Sequence, residues 1–321
     1  MEKDIDFLRY AARTYGVIKA WCSSGLFDAL LDRQAHAIDT LPGDSRAVRQ
    51  SASLLAHMGL LVIHGDTVAL SRCGHELYTG GAMNLGSSEA ALGDYSRLDA
   101  VISGGGPAHD KDGNSRVTEG GVREHNPQNA RKFMDMLYRR SEHSAVETSR
   151  WIKTVLPDGG QLLDLGGGHG RYGDALTNAG FTVTLYDRPV CVEIAQERYG
   201  AKLNTLTGDF MNDDLGGPYN VALLSNIVHG LGPQENLRLL TRLHGAMAPG
   251  GVIVIKDMFI GEHRSDPEEA VFFDLTMLMY TREGRSYPLD EMRSLCRDAG
   301  FSDHDHVYLK DHRFSLLSAI K

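Results

Sequence analysis

The sequence predicts an α/β fold: a mostly parallel sheet covered by helices on both faces, with an antiparallel last strand, behind a mostly α N-terminal domain. Three observations carry this. From residue 160 onward, apolar segments at Leu162–Leu165, Phe181–Tyr186, Val221–Leu224 and Val252–Ile255 alternate with helical segments, the pattern of a doubly covered parallel sheet. The run Gln161-Leu-Leu-Asp-Leu-Gly-Gly-Gly-His-Gly170 reads as a buried strand breaking into a glycine turn that opens a helix. The chain closes with Asp303–Leu309, a short turn at Lys310-Asp311-His312, and Arg313–Ile320. Two strands joined so tightly pair antiparallel, because a parallel pair needs a crossover of about a dozen residues.

The N-terminal part reads as helical, then briefly β. Phe7, Ala11 and Ile18 recur at helical spacing, and Leu26, Leu30 and Leu31 continue an apolar face. Pro42-Gly43-Asp44-Ser45 supplies a turn and an N-cap for a helix over Arg46–Met58, which Gly59 ends. Leu60–His64 and Thr67–Leu70 flank Gly65-Asp66, a hairpin signal. Helix, turn, helix and hairpin in that order predict a winged helix. Residues 79–128 are glycine-rich and polar, with Gly104-Gly-Gly106 and 110–115 as loop signals. Asn129–Ile152 returns to helical spacing, with Phe133, Met136 and Leu137 on one face.

Composition narrows the function classes. With 42% hydrophobic and 23% charged residues, the 321-residue chain has an ordinary globular balance and ample material for a core. A net charge of −9 argues against a general grip on nucleic acid phosphates. Up to residue 80, eight Lys or Arg face nine Asp or Glu, so the winged helix carries no basic stripe for DNA. No apolar run approaches the roughly 20 residues of a membrane span. Cys22, Cys73, Cys191 and Cys296 are scattered without metal spacing and read as free thiols of a reducing cytosol. A cytoplasmic protein with no metal centre is expected.

The glycine turn identifies a nucleoside-type ligand, and Asp187, ending the next apolar segment, is a carboxylate placed to accept both hydroxyls of a ribose. Gly168-His-Gly170-Arg-Tyr-Gly173 fits GxGxxG, which brings NAD and FAD into consideration. Three details point elsewhere. Asp164 precedes the glycines, where an acid would repel a pyrophosphate and could orient an ammonium group; the turn lies mid-chain behind a helical domain; and the sheet ends in an antiparallel hairpin.

Further segments follow in order: Gly208-Asp209-Phe210, Ser225-Asn-Ile-Val-His-Gly230, Ala248-Pro-Gly-Gly-Val-Ile-Val-Ile-Lys-Asp257, Glu283-Gly-Arg-Ser-Tyr287 with Asp290-Glu291, and Ala299-Gly-Phe301. With Asp164–Gly170 and Asp187 they resemble the winged-helix, S-adenosylmethionine-dependent O-methyltransferases: plant caffeate-type enzymes, acetylserotonin methyltransferase and their bacterial secondary-metabolism relatives. The resemblance covers nearly the whole chain. It implies a Rossmann-like seven-stranded sheet with an antiparallel last strand over 156–321, a winged-helix dimerisation domain over 1–100, and a linker over 101–155 whose helix contributes to the substrate pocket. It further implies S-adenosylmethionine as cofactor, held by Asp164, Gly166, Gly167, Gly168, Asp187, Arg188, Asp209, Phe210, Ser225 and Asn226. Asp209-Phe210 would offer an acceptor for the adenine amino group beside an aromatic face.

His229, one of fourteen histidines, matches the family's catalytic histidine, and Asp257 matches in charge the first of two glutamates that flank it in plant members. The second falls at Ser286 or a neighbour, and the family's Asp-Trp after the histidine is here Gly230-Leu231. A base within reach of a phenolic hydroxyl raises its oxyanion character in the transition state. The acceptor, a small aromatic metabolite, is expected among Phe133, Met134, Met136, Met258, Phe273, Met277 and Tyr280, since pliable Met and aromatic side chains suit a flat apolar ligand. A homodimer through the N-terminal helices is expected. Methylation of N, C or S on the same fold, non-methylating chemistry, a cofactor-sensing DNA-binding regulator and a dinucleotide oxidoreductase remain as alternatives.

Overall fold

The chain divides into two units, Met1–Gly93 and Asp94–Lys321, so the segment 101–155 belongs to the larger one. A computed structural model describes residues 6–80, 98–104, 107, 127–310 and 313–321. The loop signals at 105–106 and 110–115, and the side chain of Phe7, lie outside the described residues.

In the first unit, α1 (Asp6–Ser23) is followed by β1 (His36–Ala37), α2 (Ser45–His57), β2 (Leu61–His64), β3 (Thr67–Leu70) and α3 (Arg72–Thr79). Asp44 caps α2, its Oδ1 accepting the Ala47 N–H at 2.9 Å. The helix therefore starts one residue earlier than expected. Asp and Ser are equivalent caps, so their adjacency left the boundary open. Gly59 ends the helix at φ +74, and the hairpin pairs His64 with Thr67 across Gly65 at φ +58. β1 joins as a third strand, in the order β1-β3-β2. Trp21, Phe27, Leu30, Leu55 and Val68 fill this unit's core. Leu31, expected on the same apolar face, is exposed, because Asp28–Leu30 forms a 3₁₀ turn and shifts the period from 3.6 to 3.0.

The second unit contains α4 (Leu98–Gly104), α5 (Pro127–Arg140), α6 (Glu142–Val155), β4 (Gly160–Leu165), α7 (Arg171–Asn178), β5 (Phe181–Asp187), α8 (Pro189–Tyr199), β6 (Asn204–Thr207) and β7 (Tyr219–Ser225). After these come α9 (Pro233–Ala246), β8 (Met247–Asp257), α10 (Glu268–Tyr280), α11 (Leu289–Asp298), β9 (Ser302–Tyr308) and β10 (Ser315–Ile320). The helix expected over Asn129–Ile152 is two helices broken at Ser141, where ψ reaches 2°. β6, with the polar sequence Asn-Thr-Leu-Thr at the sheet edge, had no apolar signal to reveal it.

Among the described residues the sheet has seven strands in the order β6-β5-β4-β7-β8-β10-β9. All neighbours pair in parallel except β10, which runs against both β8 and β9. Alternate side chains feed two cores. Leu163, Leu165, Leu224, Ile253 and Ile255 face one, and Leu162, Val221, Leu223, Val252 and Val254 face the other. The strand order reverses between β4 and β7, since the chain runs outward through β5 and β6 before returning. In α/β sheets that reversal opens a crevice at the carboxyl ends of the strands.

Candidate functional site

The glycine turn, Asp187, Ser225 and Asp257 all lie at the carboxyl ends of their strands, brought level by registers such as Leu165 against Leu224 and Ser225 against Lys256. Gly166, Gly168 and Gly170 take φ of +67°, +51° and +78°, conformations that L side chains rarely adopt. A Cβ on Gly166 would stand 2.3 Å from Ile227 Cδ1, and one on Gly168 3.1 Å from Met134 Sδ. The turn is thus wedged between β7's continuation and α5, where side chains would intrude.

Asp187 closes one side of this cradle. Its Oδ2 accepts the Gly168 N–H at 2.8 Å and its Oδ1 the Arg188 N–H at 2.7 Å. Burial raises its pKa, while those two amides pull it back down. The Cys191 thiol also hydrogen-bonds this carboxylate, which keeps acceptor capacity beyond these three bonds. Arg188 is the N-cap residue of α8.

Asp164 lies beneath the glycine turn. Its side chain shares the face of Leu162, is 0% exposed, and lies against Gly167 and Gly173, where added Cβ atoms would meet Oδ2 at 2.7 and 3.3 Å. Burial, with the charge of Asp187 second, pushes its pKa up to about 7. Enclosed beneath the glycine turn, it supports the turn from below. His169 is also buried, and desolvation, followed by the charges of Arg198, Arg171 and Lys256, lowers its pKa to about 4, so it stays neutral.

The remaining cofactor candidates divide. Phe210 Cε1 comes within 4.0 Å of a Cβ placed on Gly166, beside the cradle. The Asp209 carboxylate instead folds back on its own turn, accepting from the Met211 N–H at 2.9 Å and the Asn212 Nδ2 at 2.7 Å. Ser225 Oγ is buried without a hydrogen-bond partner. Asn226 adopts φ +58 and donates its N–H to the Lys256 carbonyl at 2.9 Å.

His229 stands in a 3₁₀ turn, Val228–Gly230, just beyond β7. Its Nδ1 lies 2.8 and 3.0 Å from the two oxygens of Asp257, a carboxylate 2% exposed at the end of β8. An ionised carboxylate only accepts, so Nδ1 carries the proton and Nε2 is left as the acceptor. The Phe273 ring on α10 meets the imidazole edge-on at 4.7 Å. Three residues brace the turn: Asn236, which the sequence reading missed, and Arg285 and Tyr287, to which it attached no role. Asn236 Nδ2 donates to the carbonyls of Val228 (2.9 Å) and Leu231 (3.3 Å), the Tyr287 hydroxyl donates to Leu231 O (2.6 Å), and the Arg285 N–H donates to His229 O (2.8 Å). Asn236 had a signal: it interrupts the apolar face of Leu239, Leu240 and Leu243 on α9. Ser286 is turned away, its hydroxyl donating to Ala270 O at 3.1 Å.

Of the acceptor-pocket candidates, Phe273 touches His229 directly, and Met258 follows Asp257 with its N–H on Oδ1 at 2.8 Å. Met277 is buried on α10, and Tyr280 packs with Val101 and Met279. Phe133 and Met134 pack with Cys191 and Ile194 of α8, which places them beside the glycine turn; Met136 is half-buried on the same helix. A surface cleft of about 430 Å³ lined by Tyr138, Arg171 and Tyr199 lies on the outer side of α6 and α7 and does not include His229 or Asp187. No group of three or more metal-ligating side chains is found among the described residues.

Residues 112–302, well over half the chain, match the family model described as an O-methyltransferase domain. The chain belongs to this family. Within the O-methyltransferase family it is similar to acetylserotonin O-methyltransferase of Gallus gallus, 32% identical over 149 residues that cover 44% of this chain and 42% of that one. It is also similar to the tetracenomycin polyketide synthesis 8-O-methyl transferase of Streptomyces glaucescens, 29% identical over 187 residues, 55% and 53% of the two chains. The matched segments thus span about half the length of these relatives. Among solved structures, an O-methyltransferase family protein from Burkholderia thailandensis superposes with a TM-score of 0.80 at 18% identity, covering 100% of this chain and 98% of that one. Human N-acetylserotonin methyltransferase in complex with SAM gives 0.74 at 19% identity, covering 100% and 99%. At that identity the likeness concerns the fold.

Proposed function

We propose that the chain is an S-adenosylmethionine-dependent O-methyltransferase that methylates a phenolic or enolic hydroxyl of a small aromatic secondary metabolite, with His229 as general base. The observation that carries this is the His229–Asp257 pair, standing on the same strand-end edge as the glycine cradle and Asp187.

The residues present fit such a cofactor. Asp187 has acceptor capacity for a ribose hydroxyl beyond its bonds to Gly168, Arg188 and Cys191, and the Phe210 ring offers a face for the adenine beside Gly166. Ser225 Oγ supplies an unused polar atom at the crevice. When bound, the cofactor supplies an electrophilic methyl group on a sulfonium.

The chain's own residues do the rest. Asp257 holds the proton on His229 Nδ1, so Nε2 is ready to take the proton of the acceptor hydroxyl, an effect worth typically ~10²–10⁴-fold. Holding the acceptor oxygen in line with the methyl carbon is the larger contribution, up to about 7–11 kcal/mol. Phe273, Met258, Met277 and Tyr280 are assigned to the acceptor wall. Phe133 and Met134 are assigned to the cofactor side, because they pack beside the glycine turn.

The N-terminal unit is read as a winged-helix dimerisation module, since its near-balanced charge gives no footing on DNA. Four free cysteines fit a reducing cytoplasm. Incubation with S-adenosylmethionine and matched phenol, aniline and thiophenol acceptors tests the reading: methylation of the phenol supports it, and selective methylation of nitrogen or sulfur replaces it. A dimeric mass by light scattering is expected, and a monomer at micromolar concentration contradicts the dimer.

A further inference from the structure

Lys256 is 0% exposed. It sits on β8 at a position whose strand neighbours Val252 and Val254 line an apolar core, so an aliphatic residue would be the inexpensive choice there. A buried ammonium is tolerated only with polar or π partners. Here Nζ lies 3.3 Å from Asn226 Oδ1, 3.3 Å over the centroid of the Phe314 ring and 5.6 Å over that of Tyr172. The Lys256 backbone grips the same residue, its carbonyl accepting the Asn226 N–H at 2.9 Å.

Asn226 needs holding. Its φ of +58 is a left-handed conformation that Asn tolerates better than most residues but still adopts at a cost. The next residue, Ile227, is thereby laid against Gly166. Two residues further on, His229 is held by Asp257 through Nδ1 and, at 3.4 Å, through its backbone N–H. Lys256 and Asp257 are consecutive on a strand and so project to opposite faces of the sheet. One side chain reaches the start of the turn from below, and the other reaches its end from above.

We infer that Lys256 is a positioning residue: with Asp257 it clamps both ends of the turn 226–229, fixing where the His229 ring stands over the crevice. The inference rests on the reading of His229 as base. It adds to that reading the device that aims the base.

The test uses the full chain and two variants. Lys256→Met keeps the stem and removes the ammonium; Asn226→Gly keeps the left-handed backbone and removes the acceptor. Amide hydrogen exchange without any ligand is expected to show protection at Asn226 and His229 falling by about tenfold or more in each variant, with Leu223 and Val254 unchanged. Turnover is expected to fall by about tenfold or more in each, with affinity for S-adenosylhomocysteine within about threefold in Lys256→Met and the double variant no worse in turnover than either single one. Unchanged protection at Asn226 and His229 in a folded variant overturns the clamp, as do losses of turnover that multiply in the double variant. If Lys256→Met does not fold, Asn226→Gly decides alone. If the wild-type chain transfers no methyl group, the proposed function fails, and the exchange data still decide the clamp.

Discussion

The imidazole of His229 and the carboxylate of Asp257 face each other at 2.8 and 3.0 Å across the ends of β7 and β8, and the Met258 amide donates to the same carboxylate at 2.8 Å. The pair therefore has a fixed tautomer. Nδ1–H is committed to Asp257, and Asp257 is in turn held by its own strand end. A histidine on a free loop would have to lose rotational freedom each time it accepted a proton; this one is already oriented.

Asp257→Asn removes the ionised acceptor but keeps the shape. Turnover is expected to fall by roughly 10²-fold or more, because the amide no longer fixes the proton on Nδ1. Affinity for S-adenosylhomocysteine, read by calorimetry, is expected to stay within a few-fold. A parallel loss of both would place Asp257 in cofactor binding instead.

Asp187→Asn tests the ribose contact. The amide can still accept one backbone N–H but presents an NH₂ group where the other acceptor oxygen stood, so cofactor affinity is expected to drop by about 1.5–3 kcal/mol. Calorimetric titration with S-adenosylhomocysteine checks it, and an unaltered affinity would remove Asp187 from the site.

Asp164 makes stability depend on pH. Its carboxyl has the ordinary carboxylate value of 3.8 in the unfolded chain, and burial pushes it up to about 7 in the fold. Between those values the fold keeps a proton that the unfolded chain releases, so stability falls as pH rises through that window and the full penalty is present above about 7. Asp187, also raised by burial, acts in the same direction. Asp164→Asn removes the penalty. The variant is expected to gain in Tm relative to wild type by several degrees more at pH 8 than at pH 5, at roughly 2–4 °C per kcal/mol. An equal difference at both pH values would show that the carboxylate is not being desolvated.

Gly167→Ala probes the packing of the glycine turn. The new Cβ would come within 2.7 Å of Leu185 Cγ and of Asp164 Oδ2, neither of which has room to retreat. A loss of about 1–3 kcal/mol in urea unfolding is expected. A neutral substitution would mean that the turn is looser than these distances imply.

What the sequence revealed, and what it did not, follows from the range of each interaction. The glycine turn, Asp187 and the strand–helix alternation depend on neighbours a few residues apart, and each stands where the periodicity and turn chemistry placed it. His229 and Asp257 were legible through the resemblance to the O-methyltransferase motifs, although 28 positions separate them. Asn236 and Lys256 act across long separations, and the local trace of each is a polar group on an apolar face, as in Val252-Ile-Val-Ile-Lys256, while Tyr287 lay in a family-like segment with no role attached. The side on which Asp164 points is set by strand parity relative to the core, which places it under the turn. β6 lacked an apolar run because an edge strand buries little.

The most direct test is the single-turnover rate of His229→Gln beside wild type, at saturating S-adenosylmethionine and phenolic acceptor, with S-adenosylhomocysteine affinity measured on both. The expected result is a rate lower by about 10²-fold or more, with affinity unchanged. A His229→Gln rate equal to wild type would contradict the role of His229 as base and leave proximity alone to carry the transfer.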